Sequence, residues 1–186
     1  AMGCITTYSG EAFDPAQPDS QKIHIADIAH ALSLLCRANG HFKRFYSVGQ
    51  HCVNCALEAQ ARGYRPQVQL ACLLHDASEA YLADITRPVK EHLATYLELE
   101  ARLQGAIYEK YLTGALSQAE WEWVQDIDNQ MLLYEFQALM PKRVFSQEAQ
   151  IHGNPQMEQL PFETVQNQYL ALWRQLSGQG AKEAEA

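Results

Sequence analysis

From residue 23 onward the apolar residues recur at helical spacing. Ile23, Ile25, Ile28, Leu32 and Leu35 fall on one face, and Asn39-Gly40 supplies a stop. A second helix is predicted after Ser47, a good N-cap, running through Val53, Ala56 and Leu57 to Gly63. Pro66 opens a third, in which Val68, Leu70, Ala71, Leu73 and Leu74 form a nearly unbroken apolar run up to His75. Pro88 marks a break and a new start, and residues 89–111 read as one long helix. Gly114 and Ser117 punctuate, residues 119–140 form the next helix up to Pro141, and residues 162–176 form the last. Residues 4–21 carry Gly10, Pro15 and Pro18 and read as a loop or short hairpin, residues 141–161 as a loop, and the tail from Ser177 as frayed. There is no internal repeat and no convincing run of alternating strands. The expectation is an all-α bundle of about six helices, with an arm at 1–22, one domain at 23–176 and a disordered tail at 177–186.

Composition narrows the class. A chain of 186 residues with 47 % hydrophobic and 19 % charged content is ordinary for one globular domain and excludes a disordered chain. Lys+Arg 14 against Asp+Glu 22 leaves a net charge of -8. That balance argues against long nucleic acid and against an anionic membrane surface as partners, since both need clustered cations. A small phosphorylated ligand stays open, because a bound divalent cation can supply the positive charge. Five cysteines (Cys4, Cys36, Cys52, Cys55, Cys72) are an odd count and do not make a disulfide framework. Cys52 and Cys55 form a C-x-x-C pair, but no second pair follows, so packing is favoured over a redox or zinc half-site. No stretch is long and apolar enough to span a bilayer, and the first residues show no basic segment followed by an apolar one, so no signal segment is expected. Ala1 ahead of Met2 reads as a leftover of tag cleavage. The expected compartment is the cytoplasm.

The chemistry concentrates where the third helix ends. His75-Asp76 places two metal-competent side chains next to an apolar run, and a buried carboxylate is costly unless paired or coordinated. Glu79 follows four residues after His75, expected on the same helix face. A His-Asp dipeptide alone is weak. Two further polar residues stand on faces that otherwise pack: His51 in the first turns of the second helix, and Asp128 within an apolar stripe. Taken singly each reads as a hydrogen-bonded core histidine or a surface aspartate. Together they form a two-His, two-Asp set drawn from three helices.

The order His51…His75-Asp76…Asp128 resembles the signature of the HD-domain metal-dependent phosphohydrolases, a helical superfamily. The segment His75-Asp-Ala-Ser-Glu79-Ala-Tyr-Leu-Ala-Asp84-Ile-Thr-Arg-Pro-Val-Lys90 is similar to its counterpart in the HD-type 5′-deoxynucleotidases. The stretches around Asp27-Ile-Ala-His30 and Arg37-Ala-Asn-Gly-His41 resemble an uncharacterised phage and bacterial branch. The resemblance implies that His51, His75, Asp76 and Asp128 hold one divalent ion and that Glu79 and Asp84 act around the attacking water. It also makes Arg37 a candidate phosphate clamp, its planar fork suiting two oxygens at once. Two imidazoles and two carboxylates suit Mn²⁺ or Co²⁺, with Fe²⁺, Ni²⁺, Zn²⁺ and Mg²⁺ as alternatives.

The expected function is phosphate release from (deoxy)nucleoside monophosphates. Alternatives are a nucleotide pyrophosphohydrolase or phosphodiesterase of the guanosine tetraphosphate type, and a non-catalytic regulatory module of the same fold. His41 either lines the same pocket or caps a turn, His30 reads as a core residue, and Lys90 as an exposed helical lysine. His24, His92 and His152 have no constellation around them. Trp121, Trp123, Tyr134 and Phe136 serve either the core or the homodimer face common in the superfamily.

Overall fold

The computed structural model describes residues 3–178. Ala1 and most of the tail, residues 179–186, lie outside the described residues. A two-stranded antiparallel hairpin of β1 (Ile5–Thr6) and β2 (Ala12–Phe13) opens the chain, with Ile5 opposite Phe13. The backbone N–H and hydroxyl of Ser9, in its turn, donate to the two oxygens of Asp27 and pin the hairpin to α1 (Ile25–Leu34). The remaining elements are α2 (Val48–Ala61), α3 (Pro66–Leu74), α4 (Glu79–Leu82), α5 (Arg87–Lys90), α6 (Ala94–Tyr111), α7 (Gln118–Leu139) and α8 (Phe162–Ser177). Counting α1, six helices among the described residues are longer than a single turn, and the architecture is the expected all-α bundle.

Helix α2 is the axis of the bundle, packed by α1, α3, α7 and α8. Ser47 caps it as expected, its hydroxyl accepting the Gln50 N–H at 3.0 Å. Gly49 sits where α1 crosses: a Cβ there would stand 3.0 Å from the Ser33 nitrogen and 3.1 Å from the Leu32 carbonyl. Any side chain would therefore push the two helices apart. One apolar core lies among α1, α2, α3 and α8 around Ile28, Leu32, Leu73 and Trp173. A second, around Ala59, Val68, Ile127 and Met131, joins α2 and α3 to α7. His51 stands on α2 beside Cys55, a residue of that second core.

Three boundaries differ from the periodicity. Helix α1 begins at Ile25 rather than Ile23 and ends five residues before Asn39. Leu35 is extended, and Cys36 and Arg37 pair with Ser47 and Tyr46 across the polypeptide. The Ala38-Asn39-Gly40 stop is a separate 3-10 turn with φ of 56°, 51° and 75°. The single helix expected over 89–111 is two, because Leu93 leaves the helical region at φ -114°, ψ 72°. Lys90 bonds Glu100 and the Tyr96 hydroxyl donates to the Ala83 carbonyl, so α5 and the turn before it are tied back to α6. Helix α7 begins one residue early because Ser117 and Glu120 form a reciprocal capping box.

Three of the four aromatic residues of α7 pack within the chain. Trp121 meets Tyr108, Phe136 meets Phe42 and Phe145, and Trp123 stacks on Tyr64 while staying 40 % exposed. His30 is half-buried rather than a core residue: its ring stacks on Tyr8 and Nδ1 meets Gln166. All five cysteines are unpaired, with Cys52, Cys55 and Cys72 buried, and burial pushes the Cys52 thiol up to about 11. Among the described residues no helix is long and apolar enough to cross a membrane.

Candidate metal centre

His51 projects from the first turn and a half of α2, His75 and Asp76 follow the end of α3, and Asp128 lies in the middle of α7. The three helices bring all four side chains together. The Nε2 atoms of His51 and His75 are 3.2 Å apart. Oδ1 of Asp128 is 3.1 Å from Nε2 of His51 and 3.4 Å from that of His75. Oδ2 of Asp76 is 3.2 Å from Nε2 of His75 and 3.7 Å from that of His51.

Both imidazoles are oriented from behind. Nδ1 of His51 is 2.5 Å from Oε1 of Glu135, and Nδ1 of His75 is 2.7 Å from the Cys72 carbonyl. Both partners are acceptors, so each Nδ1 carries a proton, and in the neutral imidazole each Nε2 presents its lone pair to the centre. With neutral imidazoles four acceptor atoms converge, an arrangement that a cation or added protons reconcile. Ligands of one ion with bonds of about 2.1 Å lie roughly 3.0–3.4 Å from one another, matching most of these separations. The donor set is therefore compatible with a metal ion. Cys55 lies 3.6 Å from Nε2 of His51, and Cys52 lies beside His75, so sulfur also borders the cluster.

The electrostatics follow from the burial. Desolvation opposes ionisation of Asp76, yet the neighbouring His75 holds it at about 2. Asp128 is held well below the usual carboxylate range by the two histidines, again against burial. Glu79 goes the other way. It is 4 % exposed, and burial with the charges of Asp76 and Asp84 pushes it well above its ordinary value. Its Oε2 has no hydrogen-bond partner although buried, and Lys90 stands 3.9 Å from Oε1. Asp84, half-buried, is also raised by burial and by Asp76, with Arg37 opposing. Ala83, just before it, has φ 69° and ψ 160°, a conformation that suits glycine and strains alanine.

Two expectations about this segment change. Glu79 does not share a helix with His75: α3 ends at Leu74, and tight turns closed by Ala77 N–H to Leu74 O and Glu79 N–H to Asp76 O carry the chain into α4. These turns, not an i,i+4 face, bring Glu79 beside Asp76. Lys90 is not an exposed lysine but is engaged by Glu100 and faces Glu79.

Arg37 reaches the centre from the segment after α1. Its guanidinium is buried, with Nε 2.7 Å from Oε2 of Glu135, Nη1 3.8 Å from Asp76 and Nη2 3.9 Å from Asp128. His41 lies outside, exposed, its backbone N–H closing the turn onto Ala38. Glu135 escaped the sequence reading. Fully buried, it accepts from Arg37, from His51 and from the Tyr46 hydroxyl at 3.0 Å. The available signal was spacing: Glu135 lies seven residues beyond Asp128, two turns along the same face of α7.

No known protein-family profile matches the chain. It is similar to the uncharacterised protein YfdR of Escherichia coli, 40 % identical over 111 residues, a match covering 59 % of each chain. It is also similar to an uncharacterised protein of Rhodobacter capsulatus, 38 % identical over 108 residues and 55 % of each. The chain thus spans between 55 % and 59 % of the length of the curated relatives it matches.

Proposed function

We propose that the chain is a metal-dependent phosphohydrolase of the HD-domain type, releasing phosphate from (deoxy)nucleoside monophosphates. The observation that carries this reading is the convergence of four acceptor atoms from His51, His75, Asp76 and Asp128 beside a buried, partnerless Glu79 oxygen. A binding scaffold needs the four ligands; it does not need a buried carboxyl with an unpartnered oxygen beside them. When bound, a divalent ion supplies positive charge for the phosphoryl group and acidifies a water.

The side chains divide the remaining work. Arg37, fixed by Glu135, presents Nη1 and Nη2 toward the cluster and binds phosphoryl oxygens there. Burial and the charges of Asp76 and Asp84 raise the Glu79 carboxyl above its ordinary value, which suits it to give a proton to a departing oxygen. Asp84 orients the water or the leaving group from the loop after α4.

The test is a substrate panel with Mn²⁺- or Co²⁺-loaded protein. Phosphate release from deoxynucleoside monophosphates supports this reading. Pyrophosphate release from a nucleoside polyphosphate, or opening of a phosphodiester, moves the activity to the corresponding branch. No turnover of any panel member by metal-loaded protein would defeat the enzyme assignment.

A further inference from the structure

Three cations border the cluster, and two are already committed. Arg37 is tied to buried Glu135 at 2.7 Å, and Lys90 is neutralised by Glu100 with Glu79 beyond. Arg87 is different. Its side chain is 62 % exposed, and its Nη2 makes only a 3.3 Å contact to the neutral Asn129 Oδ1 and a 3.8 Å approach to Asp128 Oδ2. An exposed ion pair at that separation is worth little, so the guanidinium leaves it readily and keeps most of its five donors to spare.

Its placement is as informative as its freedom. Asp128 turns Oδ1 toward His51, His75 and Arg37, and Oδ2 toward Arg87. The two arginines therefore flank one ligand carboxylate, one through the oxygen that faces the cluster, the other through the outer oxygen on the solvent side. Arg87 is also the first residue of α5, directly ahead of Pro88, so its backbone is set while its side chain reaches out.

We infer that Arg87 is a swinging phosphate-capturing residue, which leaves Asp128 and Asn129 to bind the incoming phosphoryl group opposite the fixed Arg37. This inference rests on the phosphohydrolase reading above. It explains how a chain with a net charge of -8 draws in an anion: the capturing charge is mobile and stands at the rim.

The experiment uses inorganic phosphate as the probe, titrated calorimetrically into Mn²⁺-loaded protein. Arg87→Ala is expected to weaken phosphate binding about 10- to 100-fold, the range for hydrogen bonds to a charged group, with Mn²⁺ affinity unchanged. In turnover assays it raises KM far more than it lowers kcat. Arg87→Lys restores part of the affinity, since a point charge replaces the fork. Arg143→Ala, which removes an exposed arginine paired with Glu148, controls for the loss of one positive charge. Equal phosphate affinity in wild type and Arg87→Ala would overturn the role of Arg87 and leave the phosphohydrolase reading standing. Absence of phosphate binding by Mn²⁺-loaded wild type would overturn both.

Discussion

His51 and Glu135 are joined at 2.5 Å, Nδ1 to Oε1, and neither side chain reaches solvent. The carboxylate fixes the imidazole so that Nε2 faces the cluster, and it anchors Arg37 at the same time. Removing it leaves a buried guanidinium and an unheld histidine. Glu135→Ala is expected to cost about 3–5 kcal/mol of stability, the range for breaking one side of a buried pair. Metal affinity should fall roughly 10- to 100-fold, as for other partners that orient a ligand. Denaturant unfolding and Mn²⁺ titration read the two effects separately. Unchanged Mn²⁺ affinity in a folded Glu135→Ala protein would remove Glu135 from the site.

Metal binding should release protons. In the ion-free protein burial opposes protonation of both imidazoles, and Arg37 opposes it at His51. The neighbouring Cys55, Glu135 and Asp128 at His51, and Asp76, Cys52 and Asp128 at His75, outweigh these and raise both histidines well above the ordinary range. A divalent ion takes neutral imidazoles, so its affinity is expected to rise with pH through and above neutrality. Affinity independent of pH would contradict this.

The same shifts set the stability of the ion-free fold. The raised histidines stabilise it fully below their unfolded value of about 6.5, and that contribution is lost as pH rises through the folded values. Asp76, held at about 2, contributes above its unfolded value of about 3.9 and loses that as pH falls toward 2. The raised Glu79 costs stability as pH rises from about 4.3, where the unfolded carboxyl ionises, through its folded value, so the decline begins on the acid side of neutrality. Thermal melts in chelator should therefore fall from mildly acidic pH toward alkaline pH, and melts with saturating Mn²⁺ should lose most of that slope. Parallel curves with and without the ion would be the contrary result.

Glu79 carries the acid in the proposed chemistry. Glu79→Gln keeps the volume and the buried polar group but removes the transferable proton, and should lower kcat by about 10²–10⁴ with metal content unchanged. In the wild type, kcat should fall as pH rises through the raised Glu79 value. Loss of bound Mn²⁺ in Glu79→Gln would instead make Glu79 a ligand.

Ala83 is strained where it delivers Asp84. Its φ of 69° with ψ 160° is open to glycine and expensive for alanine. Ala83→Gly is expected to stabilise the fold by about 1 kcal/mol, the gain from strain relief exceeding the added entropy of the unfolded chain. A denaturation midpoint lower than wild type would show that the conformation is not strained.

The helices were legible because their apolar spacing and caps agree with the packing, as at Ser47 and Pro66. The four converging side chains were legible for a related reason: His51, His75, Asp76 and Asp128 are polar residues on faces that otherwise pack. Glu135 was not, because a Glu inside a long helix is ordinarily solvated, and only the tertiary approach of Arg37, Tyr46 and His51 makes it central. The break at Leu93 was hidden because neither Gly nor Pro marks it; it arises from the Lys90–Glu100 and Tyr96–Ala83 contacts. The turns between Leu74 and Glu79 imitate helical spacing in sequence, which is why Glu79 was expected on the face of His75.

Everything proposed for this chain depends on one divalent ion being held by His51, His75, Asp76 and Asp128. The most direct measurement is Mn²⁺ stoichiometry and affinity in metal-stripped protein, compared with His75→Ala and Asp128→Asn. One ion per chain in the wild type, lost or bound far more weakly in both variants with the fold intact, is the predicted result. Folded variants that bind Mn²⁺ as the wild type does, or a wild type that binds none, would contradict it.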